Sequence, residues 1–148
     1  MVRPAVRVVV DASVALKWFF RIHDDEENVE QAVQILKAIG SGQLKMLQPP
    51  HFLAEMGAVL AREKPESAQT DLTDLMAIDS EVFEDPSVYM TAVDLASRLQ
   101  QHLFDTLYQA TALHIADATL VTADRRYYSK AKNFGSIRLL ADFRLKAG

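Results

Sequence analysis

Apolar residues fall along this chain in two alternating patterns. Short, nearly continuous β-branched or aliphatic runs occur at 6–10, 44–47, 119–122 and 137–140, as expected of strands covered on both faces. The longer segments between them carry apolar positions at three- and four-residue steps. That spacing predicts helices over about 51–63, 67–78, 88–101, 105–116 and 125–132. Two more helices are predicted nearer the N-terminus. Ser13 suits the N-cap of one that runs through Leu16, Trp18 and Phe20. The other starts at Asp24-Asp25-Glu26-Glu27 and leaves at Gly40, since acidic side chains favour a helix N-terminus and glycine its C-terminal exit. Pro49-Pro50 closes the second strand. The order of strand, helices, strand, helices, strand, helix, strand predicts an α/β domain whose mainly parallel sheet is covered by helices. No repeat, low-complexity stretch or linker divides residues 1–148, so one domain is expected.

Composition narrows the chemistry more than the fold. With 49% hydrophobic and 24% charged residues, the chain has the balance of a folded globular protein. It has no cysteine. Disulfides, thiolate zinc sites, thiol nucleophiles and iron–sulfur ligation are removed together, and a reducing compartment fits. No apolar run reaches the roughly 18 residues of a membrane span, and Arg3, Arg7 and Asp11 break any signal-peptide core. A cytoplasmic protein without membrane contact is the expectation. The net charge of −4 hides an asymmetry. Residues 1–124 hold nine Lys and Arg against nineteen Asp and Glu, whereas residues 125–148 hold seven against one. The basic tail leaves room for a phosphate-facing patch on an acidic protein. A solvated helix face explains the same charges.

Four carboxylates stand out by position. Asp11 ends the first strand in Val8-Val-Val-Asp-Ala-Ser13, and Asp124 follows the 119–122 strand in Leu120-Val-Thr-Ala-Asp124. Chemistry in parallel α/β folds gathers at the carboxyl ends of the strands, so both acids are expected at one sheet edge. Taken singly, each has a structural explanation: a turn at Asp11, a helix cap at Asp124. Glu55 lies inside the helical stripe Phe52, Met56, Val59 and Leu60. A carboxylate aimed at a core is costly unless a cation or hydrogen bonds compensate it. Asp105 opens a helix in Phe104-Asp-Thr-Leu-Tyr-Gln-Ala-Thr-Ala112, beside a packed ridge of Phe104, Tyr108 and Ala112, and an N-cap explains it alone. Four such acids without matching bases repel one another unless a divalent ion neutralises them, and hard oxygen donors suit Mg²⁺ or Mn²⁺.

These acids sit in four stretches that occur in a recognisable order. They are Val9-Val-Asp-Ala-Ser-Val-Ala-Leu-Lys-Trp18, Pro49-Pro-His-Phe-Leu-Ala-Glu-Met56, Phe104-Asp-Thr-Leu-Tyr-Gln-Ala110 and Leu120-Val-Thr-Ala-Asp-Arg-Arg126. The set resembles the PIN-domain ribonucleases, and specifically the VapC-like toxins of bacterial and archaeal toxin–antitoxin pairs. The resemblance implies a three-layer α/β/α PIN-like fold and a metal-dependent endoribonuclease. It makes Asp11, Glu55, Asp105 and Asp124 the Mg²⁺- or Mn²⁺-binding acids, with Ser13 and Thr122 as polar helpers near the metal or its waters. It also implies an RNA substrate, a cognate antitoxin packed around the first helices, and a homodimer. Two positions depart from the family pattern. Phe104 stands where many relatives carry tyrosine, and Met56-Gly-Ala58 occupies the place where many have an asparagine.

Several features remain beside the acids. Arg125, Arg126, Lys130 and Lys132 follow Asp124 and suit the steering of RNA phosphates, with an amphipathic helix surface as the alternative. His51 and Glu55 share an i, i+4 spacing, but no second histidine pair accompanies them, and His23, His51, His102 and His114 read as structural or surface residues. Trp18, Phe19 and Phe20 spread over roughly 200° of helix arc, too wide for one core stripe. Either the helix end folds back or part of that surface meets a partner. Rival chemistries fit poorly. An aspartate-nucleophile phosphatase wants a second acid where Ser13 stands, and a receiver domain wants an acidic pair that is missing. A catalytically silent PIN-like module that binds RNA or protein is the remaining alternative.

Overall fold

The computed structural model describes residues 6–20 and 27–145. His23, the acidic residues Asp24 to Glu26 and the extreme termini lie outside the described residues. Five strands form one sheet: β1 Val6–Val10, β2 Leu44–Gln48, β3 Ser80–Val82, β4 Ala118–Thr122 and β5 Ile137–Leu139. Their spatial order is β3-β2-β1-β4-β5, and every neighbouring pair is parallel. The flanking helices are α1 Ala12–Ala15, α2 Val29–Gly40, α3 Phe52–Glu63, α4 Ala68–Met76, α5 Pro86–Leu99, α6 Leu103–Leu113 and α7 Arg125–Ala131. This is the three-layer α/β/α arrangement. The chain moves outward from β1 to β2 and β3, then returns to the far side of β1 for β4 and β5. Where the order reverses, a parallel sheet opens a crevice beyond its carboxyl ends. Asp11 and Asp124 stand there.

The centre of the sheet explains its uniform apolar runs. Val8, Val9, Val10, Leu120 and Val121 have no exposed surface, because helices cover both faces. The β1–β2 ladder is registered at Val6↔Leu44, Arg7↔Lys45 and Val8↔Met46. Beyond it the buried Gln48 side chain takes over. Its amide donates to the Val10 carbonyl at 2.7 Å and accepts from the Val10 N–H at 2.9 Å. One side chain thereby pins the strand end that delivers Asp11. Across the sheet, α6 packs on β1, β4 and α5. Gln109 of α6 is fully buried and donates to the carbonyls of Ala131 and Gly135 at 3.1 and 3.0 Å, while its oxygen accepts from the Tyr127 hydroxyl at 2.6 Å. Gly135 has φ 89°, a conformation that favours glycine.

Four expectations change in this frame. The 6–10, 44–47, 119–122 and 137–140 runs are strands to within a residue at either end, but β3 adds a fifth that the apolar pattern did not announce. All three of its residues are exposed, so it had no reason to be apolar. The helix after β1 is short: α1 gives way to a 3₁₀ turn at Leu16–Trp18. Its N-cap is Asp11, not Ser13, because the Asp11 carboxylate accepts the Val14 N–H at 3.3 Å. The aromatic triplet folds back. Trp18 is buried with its indole N–H on the Ala32 carbonyl at 2.8 Å, Phe19 packs on the core, and the Lys64 ammonium lies 5.4 Å from the Phe20 ring centroid. Helix α2 begins at Val29, after Asn28 in the left-handed region at φ 61°, rather than at the acidic run. No helix among the described residues is long and apolar enough to cross a membrane.

Candidate active site

The crevice at the strand reversal is built from the ends of two loops. Asp11 is the first residue after β1 and is partly buried. Ser13 donates its hydroxyl to Asp11 Oδ1 and accepts the Ala123 N–H at 2.9 Å. Thr122, fully buried at the end of β4, lies 3.4 Å from Ser13 Oγ and accepts the Asp124 N–H at 3.1 Å. Ser13 and Thr122 therefore stitch the loop carrying Asp11 to the loop carrying Asp124. Asp124 is exposed and caps α7, accepting the Tyr127 N–H at 2.9 Å. Capping and a place at the sheet edge are both true of it.

Glu55 and Asp105 reach the crevice from the helical layers. Phe52, Met56 and Leu60 bury one stripe of α3, and Glu55 lies in that stripe with 23% of its side chain exposed. Its Oε2 is buried without a hydrogen-bond partner. Asp105 occupies the third position of α6; the cap is His102, whose Nδ1 accepts the Phe104 N–H at 3.0 Å. Asp105 Oδ2 accepts a 2.7 Å bond from the Gln101 side chain. The anticipated ridge of Phe104, Tyr108 and Ala112 is buried only at Tyr108 and Ala112, since Phe104 remains 48% exposed.

Electrostatics ties three of the acids together. Burial pushes Asp11 up to about 6; the Ser13 and Thr122 hydroxyls and the Val14 N–H oppose the rise, and the charge of Asp105 adds to it. Glu55 is pushed up to about 7, first by burial, then by the charges of Asp105 and Asp11, with the Tyr108 hydroxyl acting the other way. Burial also raises Tyr108 and Tyr127 above their ordinary value, and Asp105 and Asp11 raise both further. Asp124 acts within this group on Tyr127. Asp11, Glu55 and Asp105 thus share one field, with Asp124 on the adjoining loop.

His51 belongs to this site, where the sequence placed it among structural or surface histidines. Its Nε2 contacts the Phe104 carbonyl at 2.9 Å and stands 3.5 Å from Glu55 Oε2. Burial lowers the imidazole pKa and so favours the neutral ring beside Glu55. With the ring proton on Nε2, Nδ1 is left buried and unpartnered, and the ring centroid lies 4.6 Å from that of Tyr108. Tyr108 itself is fully buried; its hydroxyl lies by the Glu55 carboxylate but makes no hydrogen bond of ordinary length. The i, i+4 spacing of His51 and Glu55 was the available signal.

The donor set suits a hard divalent cation. Among the described residues, no three Asp, Glu or His side chains converge closely enough to grip one ion as they stand. Mg²⁺, however, keeps several waters and commonly takes one or two carboxylates. An unpartnered buried Glu55 oxygen among mutually repelling acids is what such an ion would satisfy. On the rim, Arg125 and Arg126 are exposed immediately after Asp124. Lys17 is not, with 8% exposure.

Comparison with known proteins bears on the fold and the family. The model of the PIN domain family matches residues 8–133, a span that holds all four acids. VapBC2 from Rickettsia felis, solved bound to a DNA fragment from its promoter, superposes with a TM-score of 0.67 at 14% identity, covering 90% of this chain and 98% of the other. PAE2754 from Pyrobaculum aerophilum gives a TM-score of 0.60 at 21% identity, covering 93% and 92%. No curated protein sequence matches significantly. At such identities the structures speak for the fold, and the family model for the lineage: this chain belongs to the PIN domain family.

Proposed function

We propose that this protein is a metal-dependent endoribonuclease and the toxin of a toxin–antitoxin pair. The observation that carries the reading is the Glu55 carboxylate, half-buried with an unpartnered oxygen and facing the charges of Asp105 and Asp11 at the strand reversal. A purely structural acid in that place would be paired. Membership of the PIN family and the fold shared with VapBC2 support the same activity.

In this mechanism Asp11, Glu55, Asp105 and Asp124 would hold the cation, in part through its waters. Mg²⁺ or Mn²⁺ held there would supply a water of lowered pKa and positive charge opposite the scissile phosphate. The remaining work belongs to the chain. Ser13 and the Val14 N–H fix the orientation of Asp11, and Thr122 sets the loop of Asp124. Exposed Arg125 and Arg126 supply positive charge for RNA phosphates beside an acidic pocket that would otherwise repel them. The reading carries a cognate antitoxin and a second copy of the chain as partners, and the cytoplasm as the place of action.

Incubation of the purified protein with a labelled unstructured RNA decides the matter. Cleavage is expected in Mn²⁺ or Mg²⁺, none in EDTA, and none with Asp11→Asn. RNA binding without cleavage in any divalent metal would leave a silent binding module instead.

A further inference from the structure

We propose that Gln101, oriented by Lys130, is a positioning residue for Asp105, and that Lys130 serves this acid through the amide rather than by gripping RNA. The inference deepens the metal-dependent reading above and rests on it. Two contacts carry it. The Lys130 ammonium donates to Gln101 Oε1 at 3.1 Å, and Gln101 Nε2 donates to Asp105 Oδ2 at 2.7 Å. The three residues come from α7, the α5–α6 connection and α6, so the chain of bonds joins separate elements.

The direction of the amide follows from its neighbours. An ammonium only donates and a carboxylate only accepts, so one orientation of Gln101 satisfies both. Its backbone is equally fixed. Helix α5 ends with Gln100 in the left-handed region at φ 50° and ψ 52°, and the Gln101 N–H closes on the Ala96 carbonyl at 3.1 Å. The amide therefore leaves the helix end at a set position and angle.

That arrangement resolves a conflict. Asp105 must stay negative to attract a cation, yet it must also be held still. A lysine bonded directly to it would fix the carboxylate and cancel its charge, competing with the metal. The interposed neutral amide fixes one oxygen, leaves Asp105 Oδ1 for the ion, and keeps the ammonium one residue away. The position of Asp105 matters beyond itself, because its charge acts on Asp11, Glu55 and His51. Partners of this kind change metal affinity by about 10- to 100-fold when removed.

The test uses the full-length protein without RNA. Mn²⁺ affinity is read from the electron paramagnetic resonance signal of the free ion, with the metal-free melting temperature measured alongside. Gln101→Leu is expected to weaken Mn²⁺ binding at least about 10-fold. Lys130→Met is expected to weaken it less, and to add nothing in the Gln101→Leu background, because it acts through the amide. A merely structural Gln101 would lower the metal-free melting temperature and leave the affinity of the folded protein unchanged. Wild-type Mn²⁺ affinity in Gln101→Leu, beside loss in Asp105→Asn, would overturn the relay and leave the metal site standing. Wild-type affinity in Asp105→Asn would overturn both. An equal effect of Lys130→Met with and without Gln101, or a smaller salt slope of RNA binding in EDTA for Lys130→Met alone, would return Lys130 to a direct role.

Discussion

Tyr108 and Gln109 are neighbours on one helix, both without exposed surface, and their polar groups meet opposite fates. Every hydrogen-bonding group of the Gln109 side chain has a partner: the carbonyls of Ala131 and Gly135 and the Tyr127 hydroxyl. The Tyr108 hydroxyl makes no hydrogen bond of ordinary length; it lies by the Glu55 carboxylate, where a Glu55 oxygen and a His51 nitrogen are likewise unsatisfied. Buried polar groups left unpaired cost about 1–3 kcal/mol each, so the second cluster is a deficit that the rest of the fold supports. The closed network is what stability asks for. On the proposed function, a bound cation would complete the open one.

Substitutions on the two sides should separate these roles. The largest effect is expected at Glu55. Glu55→Gln keeps the volume of the stripe residue and removes its charge, so cleavage should fall by on the order of 100-fold or more while the metal-free fold is unharmed. Cleavage at the wild-type rate would make Glu55 structural. Gln109→Leu should do the reverse. It strands the Tyr127 hydroxyl and two carbonyls, which should cost about 2–4 kcal/mol and lower the melting temperature by roughly 5–12 °C. Its Mn²⁺ affinity at a temperature where it is folded should match wild type. The smallest effect concerns the rim. Replacing Arg125 and Arg126 by Gln should leave Mn²⁺ binding intact and flatten the salt slope of RNA binding by about 1.4 if each meets one phosphate. An unchanged slope between about 50 and 200 mM salt would place the two arginines away from RNA.

The closed parts of the fold were the more legible ones. Apolar runs located β1, β2, β4 and β5 because helices bury both faces of the sheet, and the same logic hid β3, a three-residue edge strand with nothing buried. In the site, Glu55 was legible because a charge interrupted an apolar stripe. The amides were not. Gln48 and Gln109 act on groups 18 to 38 residues away, and Gln101 links its near neighbour Asp105 to distant Lys130; no local pattern tells such a glutamine from a solvated one. Capping was half legible. Asp124 caps its helix as expected, whereas Asp11 took the place given to Ser13, and His102 the one given to Asp105. Neighbouring residues with cap-forming side chains compete on geometry that sequence does not contain.

The most direct test of the open cluster is the melting temperature across pH, with and without Mn²⁺, for wild type and Asp11→Asn. Asn keeps an oxygen for the Val14 N–H and removes one charge. Asp11 and Glu55 have folded-state values of about 6 and 7, above their ordinary values of 3.8 and 4.5. The folded protein therefore binds protons more tightly than the unfolded chain. Their contribution to stability is fully present below about pH 4 and is lost as pH rises through about 7. Without metal, wild type should lose stability relative to Asp11→Asn over that window, and the mutant should melt several degrees higher at pH 8. Mn²⁺ should restore wild type increasingly from pH 6 to pH 8, as the cation displaces protons, and should do little for the mutant. A wild-type curve that ignores millimolar Mn²⁺ at pH 8, or an Asp11→Asn protein stabilised by it equally, would contradict the account.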